Sequence, residues 1–439
     1  MSALTLRIAG GRVLCPSQGI DAQATVDLAG DRVLAVHLQA PPPAPGVPVL
    51  DARGLVVAPG LVDLHVDLGA PGGEHRETLE TGLEAAVRGG WTAVCAGPGL
   101  DPVNDNPAIT QHLVAQGEAI GKARLLPIAA ITLGRAGQRL SEMFTLREAG
   151  AVAFGEGDLS LADPALLRRA MEYAHAVGRP VFEFPEDPAL AAKGVMHEGV
   201  VSTRLGLKGL PAAAEEVRVW RAVVLAEQTG TQIHVGPIST RGSVRALRLA
   251  KAEGLPVSAS VTATHLHLTD EMVSERSYDT LLRLRPPLRS AADVAALREA
   301  VGEGIIEVIT SHHRPQAPVD KALSFDLAAP GAIGLQTALG LTLRAAAEAG
   351  WPLVTVIERL ATGPAGVLGG RAEIAPGAPA DLVIFDPEVK VRVEAGALAS
   401  KARNTPWLEQ TLPGRVAWTV VGGRVVYAAD APDHLESTL

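Results

Sequence analysis

The sequence predicts an α/β protein: a (β/α)8 TIM barrel in the middle of the chain, with a small β-sandwich domain formed by both termini. Three observations carry this. Short apolar runs recur eight times between residues 62 and 310. Stretches with helical spacing separate or follow them. The two ends share another texture, Val- and Leu-containing pieces punctuated by glycines. The length agrees, since 439 residues exceed one ordinary domain and 47% hydrophobic residues supply a large core.

Residues 1–58 read as the first part of the β-sandwich. Gly10-Gly11, Gly19 and Gly30-Asp31 mark turns between short strands, and Pro41-Pro42-Pro43 loops out. Residues 59–365 form the barrel. Its buried parallel strands are expected at about 62–68, 91–96, 125–132, 151–154, 181–184, 232–237, 257–262 and 305–310. The clearest helix runs from Asp163 to Val177, with Asp163 as N-cap and Pro164 at the first helical position. Leu167, Ala170, Met171, Ala174 and Val177 line one face, and Gly178 ends it. Residues 366–439 complete the sandwich through Ala380 to Asp386 and Arg415 to Tyr427, the latter around a Gly422-Gly423 turn. The polar tail from Asp430 to Leu439 is expected to fray.

A formal charge of −9 speaks against a general nucleic-acid binder, which carries a basic surplus to neutralise phosphates. Cys15 and Cys95 are too few for a disulfide framework or a thiolate zinc cluster, and they fit a reducing compartment. The first residues lack a signal-peptide apolar stretch, and no run of membrane-spanning length occurs. The expectation is a cytoplasmic protein with no nucleic-acid or membrane partner.

Barrel chemistry sits at the C-terminal ends of strands. After the first strand, Asp63-Leu64-His65-Val66-Asp67 places three polar residues at alternate positions, which on a strand share a face. The triplet suits metal ligands or a solvated strand end equally well. The second strand ends at Gly97-Pro98-Gly99 without a titratable group. The fourth offers Glu156, the fifth Glu183-Phe184-Pro185-Glu186, the sixth His234-Val235-Gly236-Pro237, the seventh Thr264-His265 and the eighth Ser311-His312-His313. Zinc needs imidazole, carboxylate or thiolate donors at close range, which Phe184, Pro237 and Ser311 do not supply. His234 reads as a hydrogen-bonded core residue, and His265 and His267 as loop or cap residues. Of the adjacent His312 and His313, at most one should face the mouth. No P-loop, G-x-S-x-G elbow or C-x-x-C is present.

Val57-Ala58-Pro59-Gly60-Leu61-Val62-Asp63-Leu64-His65 resembles the opening barrel strand of the dihydroorotases, in the amidohydrolase superfamily. Pro71-Gly72-Gly73-Glu74-His75-Arg76-Glu77-Thr78, His197-Glu198-Gly199 through Gly209, Pro286-Pro287-Leu288-Arg289 and Ser400 to Trp407 are similar to further segments of that family. The resemblance spans essentially the whole chain and implies the same barrel and two-ended sandwich. Active members of the family that it resembles hold one or two zinc ions and reversibly hydrolyse dihydroorotate to carbamoyl aspartate.

At the site the resemblance breaks down. The family's second strand-one His is Asp67, its substrate-gripping Arg falls at Gly69, and the assisting Asn falls at Gly99. The bridging carboxylate or carbamylated Lys is Glu156, the two later metal His positions are Phe184 and Pro237, and the catalytic Asp is Ser311. Asp63 and His65 survive from the metal set, and His312 from the substrate contacts. The implied site is therefore a relic: no catalytic residue, Ser311 in the base's place, His312 as a remaining substrate-binding residue, and no metal or other cofactor. Were one divalent ion held, zinc or manganese, its ligands would be Asp63, His65, Asp67 and Glu156.

The Ser-His-His of the eighth strand is similar to inactive dihydroorotase-like subunits that assemble with the catalytic chain of aspartate carbamoyltransferase. That resemblance implies a noncatalytic scaffold of pyrimidine biosynthesis, with the transcarbamoylase as partner and a homodimer as an open alternative. Two other readings compete. One is a divergent metal-dependent cyclic amidohydrolase. The other is a sensor holding an acidic pyrimidine intermediate through Arg289 or His312.

Overall fold

The computed structural model describes residues 3–429. The expected fraying of the tail from Asp430 to Leu439 lies outside the described residues. Eight parallel strands form the central sheet: Leu61–Val66, Trp91–Ala96, Arg124–Ala130, Ala153–Gly155, Val181–Glu183, Ile233–Val235, Val257–Thr262 and Val308–Thr310. They are ordered along the sheet as along the chain. The backbone N–H of Asp67 donates to the carbonyl of His313 at 2.8 Å, closing the first strand onto the end of the eighth. A helix follows each strand, the outer ring of a (β/α)8 barrel.

Why these runs become strands is visible in their burial. Residues of one strand alternate between two apolar environments, so no polar face is needed. Leu64, Cys95, Ile128, Ala153, Phe182 and Val308 fill the barrel interior. Val94, Phe154, Val181, Val235, Val261 and Ile309 pack outward against the helices. The expected runs at 91–96 and 257–262 coincide with observed strands. The others are shorter than their apolar runs: four lose residues at the C-terminal end, where the chain leaves the ladder to form the mouth, while the runs at 151–154 and 305–310 lose them at the start.

The helix Pro164–Ala176 follows its sequence signals. The Asp163 carboxylate accepts the Ala165 N–H at 2.8 Å, an N-cap that satisfies an otherwise orphan donor. Leu167, Ala170, Met171 and Ala174 are buried on one face, and Gly178 takes a left-handed φ of 66° beyond its end.

Both termini contribute to one eight-stranded mixed sheet. Val56–Pro59 lies parallel to Leu6–Cys15 on one side and antiparallel to Leu382–Arg392 on the other. The sheet encloses its own apolar core, including Ile8, Val13, Val26, Leu382, Ile384 and Val420. A buried Arg7–Asp27 pair bridges two of its strands, with Nε–Oδ1 at 2.7 Å and Nη2–Oδ2 at 2.8 Å. No helix among the described residues is long and apolar enough to cross a membrane.

Candidate functional site

A cavity of about 240 Å³ opens at the C-terminal ends of the barrel strands. His65 forms part of its floor, stacked on His234 with ring centroids 5.3 Å apart. His65 Nε2 pairs with Ser260 Oγ at 3.0 Å, and burial pushes its pKa down to about 4, so its ring is neutral near pH 7. His234 is fully buried, and its Nδ1 pairs with Ser258 Oγ at 2.9 Å. Burial likewise holds His312 neutral, with its ring edge-on to His65 at 6.4 Å.

The three strand-one residues do not converge on one point. Asp63 is fully buried and spends its carboxylate on the barrel seam. It accepts the Ser311 N–H at 2.9 Å, the His65 N–H at 3.1 Å and the Thr310 hydroxyl. Burial raises its pKa, and these donors oppose the rise. A register shift between Asp63 and Val66 in the pairing with the second strand interrupts the simple alternation. His65 and Asp67 reach the cavity, and Asp67 Oδ1 accepts the Gly69 N–H at 2.9 Å.

Glu156 turns away from this group. Its Oε1 accepts the Thr132 N–H at 2.8 Å and the Thr132 hydroxyl at 2.7 Å, and the side chain lines a neighbouring cavity of about 230 Å³. Its Oε2 is buried without a protein partner. Burial raises its pKa to about 7 against the Thr132 bonds. Phe184 and Pro237 do line the mouth, just beyond the fifth and sixth strands, and contribute carbon where a ligand atom would be needed. Ser311 is buried, and its hydroxyl accepts the His313 N–H at 3.1 Å. Among the described residues, no three His, Cys, Asp or Glu side chains are grouped so as to hold a metal ion. The donor set does not fit the family's zinc centre.

The other His residues have structural partners. His265 sits in a single turn after the seventh strand, with Nδ1 2.7 Å from the Thr262 hydroxyl. His267 Nε2 contacts the Leu341 carbonyl at 2.8 Å. His312 and His313 both border the mouth, contrary to the strict alternation expected of a strand. The strand has already ended at Thr310, and His312 adopts a left-handed φ of 47°. Arg289 does not line the mouth: it is buried against Ser239 Oγ at 3.0 Å and the Leu210 carbonyl at 2.9 Å.

Sequence reasoning missed the arginines. Arg76, Arg135 and Arg314 all line the mouth, and Arg135 and Arg314 pinch the Asp158 carboxylate between them, each Nη2 at 2.5 Å. Burial pushes the Asp158 carboxyl up, but the two guanidinium groups outweigh it and hold the group well below its usual range. A signal is present in the sequence, since Arg314 directly follows Ser311-His312-His313 and Arg135 lies just past the third strand.

Comparisons with known proteins agree with this architecture. A dihydro-orotase-like family model matches residues 54–243, and an amidohydrolase family model matches residues 185–426. A dihydroorotase of Anaeromyxobacter dehalogenans strain 2CP-1 is 45% identical over 432 residues, covering 98% of this chain and 99% of the relative. A dihydroorotase of Pelotomaculum thermopropionicum is 45% identical over 428 residues, covering 96% and 98%. Among solved structures, the L-hydantoinase (dihydropyrimidinase) of Arthrobacter aurescens superposes with a TM-score of 0.84 at 21% identity, over 97% of this chain and 96% of that one. The dihydropyrimidinase of Brevibacillus agri gives 0.82 at 21% identity, over 96% and 95%. At that identity the likeness speaks for the fold alone.

Proposed function

The chain belongs to the dihydroorotase family of the amidohydrolase superfamily, and from that membership we propose a pyrimidine-biosynthesis homologue whose barrel does not hydrolyse by the family's zinc chemistry. In this reading the chain serves as an assembly subunit for the catalytic chain of aspartate carbamoyltransferase. The observation that carries it is the carbon surface of Phe184 and Pro237 at the mouth, beside an Asp63 carboxylate already committed to Thr310, Ser311 and His65. Zinc hydrolases hold the ion with three protein ligands and an open position, and lower the pKa of bound water to about 7. Here Phe184 and Pro237 offer no donor atom. Ser311 stands where a carboxylate base would accept the water's proton, and a hydroxyl does not ionise near neutrality. The kept fold and the Ser311-His312-His313 sequence support the scaffold role.

Metal content of the purified, untagged protein after growth with zinc and manganese tests the reading, together with dihydroorotate turnover in added zinc. The expected result is near-zero metal, no turnover and a large complex with the transcarbamoylase chain. Full assembly and activity of the transcarbamoylase without this chain would overturn the scaffold role.

A second reading, a divergent metal-dependent cyclic amidohydrolase, has its own support. The relatives at 45% identity over nearly the whole chain are named dihydroorotases. About one tightly held ion per chain, with turnover lost on Asp67→Ala, would decide for it.

A further inference from the structure

Residues 318–331, between the eighth strand and the helix Ala338–Ala349, lie against the turn Thr280–Leu282 that follows the seventh strand. The two segments exchange hydrogen bonds. The Thr280 hydroxyl donates to the Lys321 carbonyl at 2.6 Å, and Lys321 Nζ donates back to the carbonyls of Thr280 at 3.0 Å and Arg283 at 3.3 Å. The Gly331 N–H donates to the Arg283 carbonyl at 2.9 Å, and the Ala329 N–H to the Asp320 carbonyl at 3.0 Å. Apolar anchorage is thin. Phe325 and Ala328 are buried, but Val319, Leu323 and Leu327 are exposed at 70%, 49% and 68%. A segment held by so little buried surface opens on its own, ahead of the barrel.

The third buried residue of the segment is Lys321 itself, and among the described residues no carboxylate lies within ion-pair distance of it. The charged groups facing it are Arg283 and Asp279 from the turn and Arg314 from the root of its own segment. Arg283 and Arg314 each keep a buried Nε without a partner, and Asp326 is turned to Arg283. Two cations therefore stand around this amine against one anion. An ammonium carries three N–H donors and finds two carbonyls here, whereas a neutral amine carries two and satisfies both. Burying a charge without a counter-ion is costly. Burial, followed by Arg283, pushes the Lys321 pKa down to about 7, with Asp279 opposing.

We propose that residues 318–331 form a pH-sensitive strap, seated on Thr280 and Arg283 while Lys321 is a neutral amine and released as Lys321 takes up a proton. The strap ends beneath a side chain of the mouth: a Cβ on Gly331 would come within 2.9 Å of Arg314 Cγ. Release withdraws that support from Arg314, which with Arg135 holds Asp158. The sign follows from the two states. Lys321 has its ordinary value of 10.5 when released and about 7 when seated, so seating gains from deprotonation. Seating is therefore weakest and level below pH 7, and strengthens as pH rises from there toward 10.5. The device is independent of whether the barrel hydrolyses anything.

Hydrogen–deuterium exchange of the full chain, read by mass spectrometry between about pH 6 and 9 and corrected for intrinsic exchange, tests the strap. Protection of residues 318–331 should be level up to about pH 7 and then climb toward roughly tenfold per pH unit. The helix Pro164–Ala176, read in the same digest, should hold level. Lys321→Met removes the titrating group and should abolish the slope, whatever its level of protection. Lys321→Arg stays charged throughout and should leave the strap open and its exchange flat. A level parent, a slope that persists in Lys321→Met or Lys321→Arg, or the same slope in the reference helix would overturn the proposal.

Discussion

The carboxylate of Asp63 accepts the backbone N–H of Ser311 at 2.9 Å, tying the first barrel strand to the end of the eighth. With Thr310 and His65 as further donors, this carboxylate is a clasp across the seam where the sheet closes.

Asp63→Ala should therefore act on stability. It leaves three donors at a buried seam without an acceptor, and a loss of about 3 kcal/mol is expected. Urea unfolding measures it. A large fall in bound metal with little change in unfolding midpoint would show that the carboxylate is a ligand instead.

Glu156 gives a pH dependence of known sign. Its folded pKa of about 7 lies above its ordinary value of 4.5, so the folded state favours the protonated form. That stability is fully present below about 4.5 and is lost as pH rises through 7. Glu156→Gln keeps an acceptor for Thr132 and removes the titration. The variant should match the parent at pH 5 and exceed it at pH 8 by up to about 3 kcal/mol. Equal stability of the two at pH 8 would contradict the account.

Glu77 has the opposite sign. It is fully buried, accepts the Lys401 N–H at 2.9 Å and the hydroxyls of Thr81 and Ser400, and faces His313 Nε2 at 3.3 Å. Burial raises its pKa, but His313 and these donors bring it down to about 2 from 4.5. The stability it adds is present above 4.5 and is lost as pH falls toward 2. Glu77→Gln should cost roughly 2–3 kcal/mol at pH 7 and flatten the acid limb of the stability curve. Unchanged acid sensitivity in the variant would remove Glu77 from that role.

Restoring imidazole donors tests the metal argument from the other direction. The triple variant Asp67→His, Phe184→His and Pro237→His should bind zinc where the parent binds little, raising stoichiometry toward one per chain. Mass spectrometry of both proteins, prepared side by side, provides the check. Equal zinc in the two would mean that these positions do not control metal binding.

The barrel was legible in the sequence because its strands are buried on both sides and therefore read as unbroken apolar runs; Trp91–Ala96 is buried at every position. The helix after Asp163 was legible because its cap, its first-turn proline and its terminal glycine are local signals. The site was legible only in part. Strand alternation groups Asp63, His65 and Asp67, but the register shift after Asp63 and the donors of the eighth strand send its carboxylate elsewhere. Glu156 is turned by Thr132, which belongs to the preceding unit. Arg314 and Arg135 pack across glycines distant in sequence, Gly331 and Gly99, and local pattern carries no trace of that packing.

The sheet built from both termini sets a timetable for synthesis. Gln18 Oε1 accepts the N–H of Ile374, which lies 356 residues further along the chain, and Val56–Pro59 finds its antiparallel neighbour only at Leu382–Phe385. At typical translation rates the first strands emerge on the order of tens of seconds before these partners exist. Throughout that interval Val56–Pro59 presents an open, apolar edge, the kind of surface that recruits chaperones or pairs with neighbouring chains. Yield in the cell should thus depend on how quickly the ribosome completes the C-terminal strands, more than on how fast the barrel folds.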